Sequence, residues 1–265
     1  SDLTLNTANS YVIAGPVIFE NGTTLTIPAG MTIKAAATGA DVYLAIAQGA
    51  KIDAQGTANQ PIIFTSNAST PNKGDWGGLI LLGKAPINSV SGTATSTSEI
   101  ANLPYGGTDA TDDSGKLRYV RVEYSGGKAD GQSENNGFSF YGIGSGTQIE
   151  FIQMYEGKDD GVEFFGGTVN VNNVSIINAE DDSIDWTEGY SGTITDAYVK
   201  HGAEHDKGIE ADGYNTDIGN NSNPIFFSKP TLTNVTILGL GSGTGNEAIR
   251  LRAGTQAIFN NIVIT

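Results

Sequence analysis

One short pattern recurs along the chain and constrains the fold more than any other feature. A glycine or similar small residue, usually followed by Thr, precedes a run in which apolar and polar residues alternate. The pattern occupies 22–30, 115–124, 146–155, 167–177, 192–201, 230–239 and 254–264. From Gly146 onward the starts follow one another by 21, 25, 38 and 24 residues. Alternation is typical of a strand with one buried face, and a period of about 20–25 residues indicates stacked structural repeats.

This period predicts an all-β fold, a parallel β-helix in which each strand pairs with its equivalent on the next coil. Alternation would turn Val, Ile, Leu and Phe inward to a continuous core. A β-sandwich, with strands every 8–12 residues or so, is the alternative, but it has no reason to reuse a Gly-Thr start. The 36 glycines also leave no twelve-residue stretch suited to a long helix.

The domain organisation follows from the same pattern. No linker interrupts it, so 1–265 is predicted to be a single domain. The Ser/Thr/Gly-rich segment 86–115 is predicted to be a long loop leaving the helix, and 212–229 an insertion within the 38-residue step. The closing "NNIVIT" resembles the middle of a strand, which predicts that a C-terminal part is missing.

The amino-acid composition limits the classes of partner that the chain can bind. The chain has 14 Lys+Arg against 29 Asp+Glu, for a formal net charge of −15. That balance argues against nucleic acid or an anionic membrane as a partner and is compatible with cations or neutral sugars. The chain has no cysteine, which excludes disulfides and thiolate sites. No apolar run approaches the roughly 18 residues of a membrane span.

Two acidic stretches, "GKDDGVEFFGG" (157–167) and "AEDDSIDW" (179–186), are 22 residues apart, so one coil would place them side by side. Three interpretations remain open: aspartate turns that bond nearby backbone N–H groups, a Ca²⁺ site, or a catalytic cluster. The predicted calcium ligands are Asp159, Asp160, Glu163, Asp181, Asp182 and Asp185. A separate alternative is a transition-metal site at His201 and His205, beside Glu204, Asp206, Glu210 and Asp212.

The chain as a whole resembles a known family. Stretches such as "LTIPAGMTIKA", "GDWGGLILLGKAPIN", "AEDDSIDWTEGYSG" and "IRLRAGTQAIFNNIVI" are similar to exported bacterial right-handed parallel β-helix proteins, pectate-lyase-like and of uncharacterised function, common in Bacteroidetes and Proteobacteria. The resemblance implies a right-handed β-helix and a location that is extracellular or attached to the outer membrane. Some members carry a lipid anchor. It supplies no catalytic residue.

The order of the acidic and basic residues is also similar to that in polygalacturonases. This likeness implies inverting hydrolysis of an acidic polysaccharide by Asp160, Asp181 and Asp182, with His201 tuning the acids. Arg250 or Arg252 would bind a substrate carboxylate. The chain departs from that pattern, since "GKDDG" replaces Asn-Thr-Asp and "IRLRA" replaces Arg-Ile-Lys. A polysaccharide lyase, which needs a basic residue beside Ca²⁺, has no matching motif.

The leading functional prediction is a non-enzymatic cell-surface or secreted protein with a binding, adhesion or assembly role toward glycans. Trp186 and Tyr190 are the predicted sugar-stacking side chains, with Arg250 and Arg252 as further substrate-binding residues, whereas Trp76 is assigned to the core. The alternatives are the hydrolase and a purely structural solenoid. Strand pairing at the helix ends would allow self-assembly.

Overall fold

A computed structural model describes residues 1–89, 94–128, 134–214, 227–241 and 247–265. Within these ranges the regular elements are strands, and none of them is a helix long and apolar enough to cross a membrane. The strands are β1 (Leu3–Thr4), β2 (Tyr11–Ile13), β3 (Val17–Phe19), β4 (Thr24–Ile27), β5 (Thr32–Ala35), β6 (Gly39–Ile46), β7 (Lys51–Gln55), β8 (Ile62–Ser66), β9 (Trp76–Leu82), β10 (Ser96–Thr97), β11 (Pro104–Tyr105), β12 (Gly115–Glu123), β13 (Phe138–Tyr141), β14 (Gln148–Gly157), β15 (Val162–Phe165), β16 (Asn170–Ala179), β17 (Ile184–Thr187), β18 (Thr193–Lys200), β19 (Ile209–Ala211), β20 (Thr231–Leu238), β21 (Ile249–Leu251) and β22 (Ile258–Ile264).

Two parallel sheets run the length of the molecule. The long sheet has the order β1-β4-β7-β12-β14-β16-β18-β20-β22, and β2-β5-β8 extends it from the second half of β12. The short sheet has the order β3-β6-β9-β13-β15-β17-β19-β21. From β12 onward the chain alternates between the two sheets and pairs each strand with the one a coil later, which confirms the predicted parallel β-helix.

The register reproduces the sequence period. In the long sheet Ile149 pairs with Val171, Val171 with Ile194, and Ile194 with Leu232. All seven copies of the Gly-Thr pattern supply strands of this one sheet. The predicted insertion 212–229 falls within the step from Ile194 to Leu232, and its residues 215–226 lie outside the described residues.

Alternation along each strand creates the core. Leu117, Ile149, Val171, Ile194 and Leu232 are all buried at equivalent positions of successive coils. One continuous apolar cluster extends from the first coils to β20 and includes the inward side chains of both sheets. Stacking of this kind holds every coil against its neighbours, so the outward positions of both sheets are fixed in space as well.

The predicted long loop at 86–115 does not simply leave the helix. Its described part forms the antiparallel hairpin β10–β11 and returns to the short sheet. Ile100 and Tyr105 pack there against Tyr141 and Phe165 in a second apolar cluster, and the Tyr105 hydroxyl donates to Glu188 Oε2 at 2.7 Å. Tyr105 buries a large apolar ring, which explains why the segment folds back. Residues 90–93 lie outside the described residues.

Candidate functional site

A seven-residue motif links the long sheet to the short sheet in successive coils. Its copies are "NNGFSFY" (135–141), "DDGVEFF" (159–165), "DDSIDWT" (181–187) and "DKGIEAD" (206–212). The short sheet aligns them, because Phe138 pairs with Val162, Val162 with Ile184, and Ile184 with Ile209. The two aspartate pairs therefore occupy equivalent positions on adjacent coils.

The second motif position forms a ladder of hydrogen bonds between coils. The Asp182 backbone N–H donates to Asp160 Oδ1 at 2.9 Å, and the Lys207 N–H donates to Asp182 Oδ1 at 2.7 Å. The aspartates thus satisfy backbone donors of the next coil rather than of their own turn. Gly161 is required beside them, since a Cβ there would lie 2.5 Å from the Ser183 carbonyl oxygen.

These turns and the outer face of the short sheet enclose a cleft of about 360 Å³, named here the acidic cleft. Eleven carboxylates line it, against three cationic side chains. Its lining residues are Glu99, Glu134, Asn136, Asp159, Asp160, Glu163, Phe165, Asp181, Asp182, Asp185, Thr187, Asp206, Lys207, Glu210, Asp212, Arg250 and Arg252. All six predicted calcium ligands belong to this set.

A column of polar residues forms one wall of the acidic cleft. The fifth motif position faces away from the core in each coil, and the register places Glu163 beside Asp185, Asp185 beside Glu210, and Glu210 beside Arg250. Adjacent coils of a parallel sheet are about 4.8 Å apart, so the acids of this column repel one another unless a cation or protons intervene.

The basic side chains neutralise only part of the acidic cleft. Lys207 Nζ lies 3.0 Å from Glu210 Oε1 and also pairs with Asp206. Arg252 Nη2 lies 2.5 Å from Glu210 Oε2 and 2.8 Å from Asp212 Oδ2. These contacts serve the C-terminal coils. In the earlier coils Lys128 pairs with Glu134 and its Nζ lies 3.9 Å from Asp159 Oδ1, and among the described residues no basic side chain forms a salt bridge with Asp160, Glu163 or Asp185.

Four sets of three carboxylates are close enough to share an ion. Within each set, ligand oxygens lie within 4.8 Å of one another. The sets are Glu134–Asp159–Asp181, Asp160–Asp181–Asp182, Asp160–Glu163–Asp185 and Asp182–Asp185–Glu210. Ca²⁺ binds oxygen at about 2.3–2.6 Å, so two of its ligand atoms are at most about 5 Å apart. Oxygen-only sets of this kind fit Ca²⁺ or Mg²⁺.

Burial and mutual repulsion strongly perturb these acids. Burial, followed by interaction with Glu134, raises the pKa of Asp159 to about 9. Burial and the charge of Glu210 raise the pKa of Asp182 to about 7. The pKa values of Asp160, Glu163 and Asp185 are raised well above the usual range by burial and by their acidic neighbours. A bound cation would relieve the same repulsion by favouring the ionised forms.

His201 does not stand where the polygalacturonase likeness places it. The position after Asp182 in the ladder belongs to Lys207, whereas His201 follows β18 at the end of a long-sheet strand. Its ring lies 4.2 Å from that of His205, outside the acidic cleft. The reason is that the connection after β18 is longer than the one after β16. The motif begins at Asp181, two residues after the end of β16, but at Asp206, six residues after the end of β18. Among the described residues no candidate metal cluster contains a histidine.

The two predicted sugar-stacking aromatics are core residues. Trp186 and Tyr190 are both 0% exposed. Trp186 follows Ile184 by two residues and shares its inward face, and its indole N–H donates to Thr255 Oγ1 at 2.9 Å. Tyr190 stacks on Phe164 with ring centroids 4.3 Å apart. Neither ring can stack on a ligand, and Trp76 is buried in the core as predicted.

The remaining catalytic and binding predictions have mixed outcomes. Asp160, Asp181 and Asp182 do meet, but their nearest oxygens lie within 4.8 Å. That separation is shorter than the roughly 6.5–9.5 Å of an inverting pair. Arg250 and Arg252 line the C-terminal edge of the acidic cleft with side chains 42% and 41% exposed, and both contact Glu210.

Sequence reasoning missed Glu99, Glu134 and Lys207 as members of the acidic cleft, and it assigned Asp206, Glu210 and Asp212 to the histidine cluster. The aligned motif would have found Lys207 and these three acids, because "DKGIEAD" repeats "DDGVEFF" with Lys207 in place of the second aspartate. Glu134 precedes the first motif copy, and only the fold brings it to Asp159 and Asp181.

Comparison with known proteins bears on the fold. Residues 1–265 match the model of a family described as pectate-lyase like beta helix domain. Comparisons with curated proteins and with solved structures find no significant match.

Proposed function

The chain belongs to the pectate-lyase like β-helix domain family, and from that premise we propose a non-enzymatic binding protein whose acidic cleft holds Ca²⁺. One observation carries this proposal. Asp160, Glu163 and Asp185 bring three carboxylates within 4.8 Å of one another. Among the described residues no lysine or arginine forms a salt bridge with any of the three, since the cleft's basic groups pair elsewhere.

The alternatives to a cation are costly near neutral pH. Ionised carboxylates at this distance repel one another, and keeping all three protonated works against their ordinary pKa of about 4. Asn136 Nδ2 donates to Glu163 Oε2 at 2.7 Å, which orients one carboxylate toward the other two. A divalent ion would be held by these acids and by water or backbone oxygens in the rest of its coordination sphere.

We infer that the role of the loaded cleft is to bind glycans at the cell surface or outside the cell. Extracellular calcium modules have dissociation constants of about 10⁻⁴–10⁻³ M, and an ion held by three protein carboxylates keeps coordination positions for oxygen atoms of a ligand. Glu163 and Asp185 are partly accessible, and Arg250 and Arg252 lie further along the cleft at its C-terminal edge, in contact with Glu210. An acidic polysaccharide would place its carboxylates on the ion, because Arg250 already pairs with Glu247 and Arg252 with Glu210 and Asp212.

Electrophoresis through gels that contain polygalacturonate tests this role. We expect retardation of the protein with millimolar Ca²⁺ and none with EDTA. Asp185→Asn should abolish the calcium-dependent retardation, whereas Asp41→Asn, the same change at an exposed aspartate outside the cleft, should not. Equal mobility with Ca²⁺ and EDTA would refute glycan binding by the loaded cleft.

Incubation of the protein with polygalacturonate in solution, with Ca²⁺ or EDTA, separates the other functional classes. Release of reducing ends from the polymer would favour the hydrolase, and calcium uptake without polymer retardation would favour a structural solenoid. Self-assembly through the helix ends stays a prediction, which sedimentation analysis of concentrated protein would test.

A further inference from the structure

The long sheet bends at the same mid-strand position in every coil from β12 onward, and Tyr124, Glu156 and Asn178 form a second left-handed series near the ends of β12, β14 and β16. The residue at the mid-strand position has a left-handed backbone, and the register aligns it from coil to coil between flanking paired positions. The mid-strand series is Tyr119 (φ 48°), Phe151 (φ 53°), Asn173 (φ 60°), Asp196 (φ 58°), Asn234 (φ 57°) and Asn261 (φ 58°).

The last four members explain what the bend requires. Asn and Asp tolerate a positive φ better than other residues with a side chain. Asn234 Nδ2 donates to Asp196 Oδ1 at 2.8 Å, and Asn261 Nδ2 donates to Asn234 Oδ1 at 2.8 Å, so the amides also join the coils. Nothing in the fold of these coils asks for an aromatic residue at the bend.

Tyr119 and Phe151 are therefore anomalous. Bulky residues rarely adopt a left-handed backbone, and such strain concentrates at functional positions. The two rings are half-buried and stack on each other, with centroids 4.4 Å apart and planes 7° apart. In the next coil Asn173 follows in place of a third ring, and the aromatic stack ends there.

A groove of about 390 Å³ runs along this bend, on a different sheet from the acidic cleft. Its lining includes Pro61, the two rings, and the polar side chains of Gln153, Asn173 and Ser175. Gln153 Nε2 donates to Ser175 Oγ at 3.1 Å, so amide and hydroxyl groups continue along the groove from coil to coil.

The two cationic side chains beside this groove are already paired, and the Asp196 carboxylate adds a negative charge to its lining. Arg118 lies 4.9 Å from the Tyr119 ring centroid and pairs with Glu150 at 3.3 Å. Arg121, which lines the groove, pairs with Glu123 at 2.7 Å. An anionic ligand would have to compete with these glutamates. Aromatic rings among paired cationic side chains and neutral donors suit the apolar C–H groups and the hydroxyls of an uncharged sugar.

We propose that the groove formed by Tyr119, Phe151, Gln153, Asn173 and Ser175 binds a neutral polysaccharide. Pyranose rings would contact the aromatic pair, and hydroxyls would bond to the amides and Ser175. This site is separate from the acidic cleft and needs no cation, so it goes beyond the function proposed above and does not depend on it.

Electrophoresis through gels that contain hydroxyethylcellulose, xylan or galactomannan, each run with EDTA, tests the groove. At least one polymer should retard the protein. Phe151→Asn and Tyr119→Asn copy the residue that later coils use at the bend, so the fold should be retained. Each should weaken retardation about tenfold, as expected for loss of an aromatic anchor.

Ile18→Asn, which changes an exposed apolar residue of the short sheet, should leave retardation unchanged, as should Asp185→Asn in the acidic cleft. Circular dichroism and the melting temperature identify any variant that fails to fold. The proposal is overturned if no neutral polymer retards the protein, if folded Phe151→Asn and Tyr119→Asn bind as the wild type does, or if retardation needs Ca²⁺.

Discussion

The acidic cleft and the aromatic groove are built by the same device on different sheets. Each repeats one position of the coil, so like side chains line up along the helix. In the acidic cleft, eleven carboxylates face three cationic groups. In the groove, Arg118 and Arg121 each pair with a glutamate. The comparison shows that the solenoid supplies only the alignment. The residue placed at each step decides whether the surface gathers carboxylates that repel one another or presents aromatic rings with neutral polar groups.

The largest expected effect concerns the core beneath the acidic cleft. Trp186→Ala should destabilise the protein by about 3–5 kcal/mol, because it removes a fully buried indole and leaves a cavity. Urea unfolding measures the change. Tyr198→Ala, an exposed aromatic on the long sheet, should cost about 0.5 kcal/mol or less. Near-equal losses would contradict the assignment of Trp186 to the core.

The acidic cleft should make stability depend on pH, and the groove should not. Folded Asp182 and Asp159 have pKa values raised to about 7 and about 9. Their unfolded value is about 3.9, so the folded state binds more protons between these limits. Stability of the metal-free protein is therefore highest in acid and falls as pH rises from about 4 to about 9.

The urea midpoint in EDTA at pH 5, 7 and 9 measures this decline. We expect a loss of at least about 2 kcal/mol, since one pKa unit corresponds to about 1.4 kcal/mol. Ca²⁺ should flatten the profile, because it replaces the protons. A metal-free protein that becomes more stable toward pH 9 would contradict the electrostatics of the cleft.

Calcium itself should stabilise the fold through the acidic cleft alone. At a free concentration 100 times the dissociation constant, binding contributes about 2.7 kcal/mol, which corresponds to a rise in Tm of about 5–10 °C. Calorimetry with Ca²⁺ and with EDTA measures it. Asp185→Asn should lose most of this rise, whereas Phe151→Asn should retain it. A rise that is the same in both variants would place the ion elsewhere.

The smallest expected effect concerns the groove. Tyr119→Asn exchanges a strained aromatic residue for one that tolerates a positive φ, and it loses one ring contact. These terms oppose each other, so the free energy of unfolding should change by less than about 1 kcal/mol. Urea unfolding tests this. A loss of several kcal/mol would mean that the aromatic pair is needed for folding, which the later coils argue against.

Much of the fold could be predicted because repetition leaves a direct mark on the sequence. Gly146, Gly167 and Gly192 each precede a strand of the long sheet, and the 22-residue spacing of the aspartate pairs is one coil. Trp186 was misassigned although its alternation with Ile184 shows which face it occupies. A four-residue strand contains only two inward positions, so the alternation is hard to recognise in the sequence, and the neighbouring acids suggested an exposed site.

Other features depend on register and cannot be counted along the chain. Variable connections between the sheets placed Lys207, not His201, after Asp182. Asn within "NVNNVS", "TLTNVT" and "IFNNIV", and Asp within "TITDAY", indicate the bend in the sequence. Tyr119 and Phe151 occupy the same position, but an aromatic residue does not indicate a bend. Only the backbone conformation identifies them as equivalent.

The most direct test of the account is isothermal titration of Ca²⁺ into metal-free protein at pH 7.5, with Asp185→Asn and Asp41→Asn beside the wild type. The account predicts saturable binding with a dissociation constant of about 10⁻³ M or tighter, abolished or greatly weakened by Asp185→Asn and unchanged by Asp41→Asn. Absence of saturable binding, or equal binding by Asp185→Asn and the wild type, would contradict the claim that the acidic cleft is a cation site.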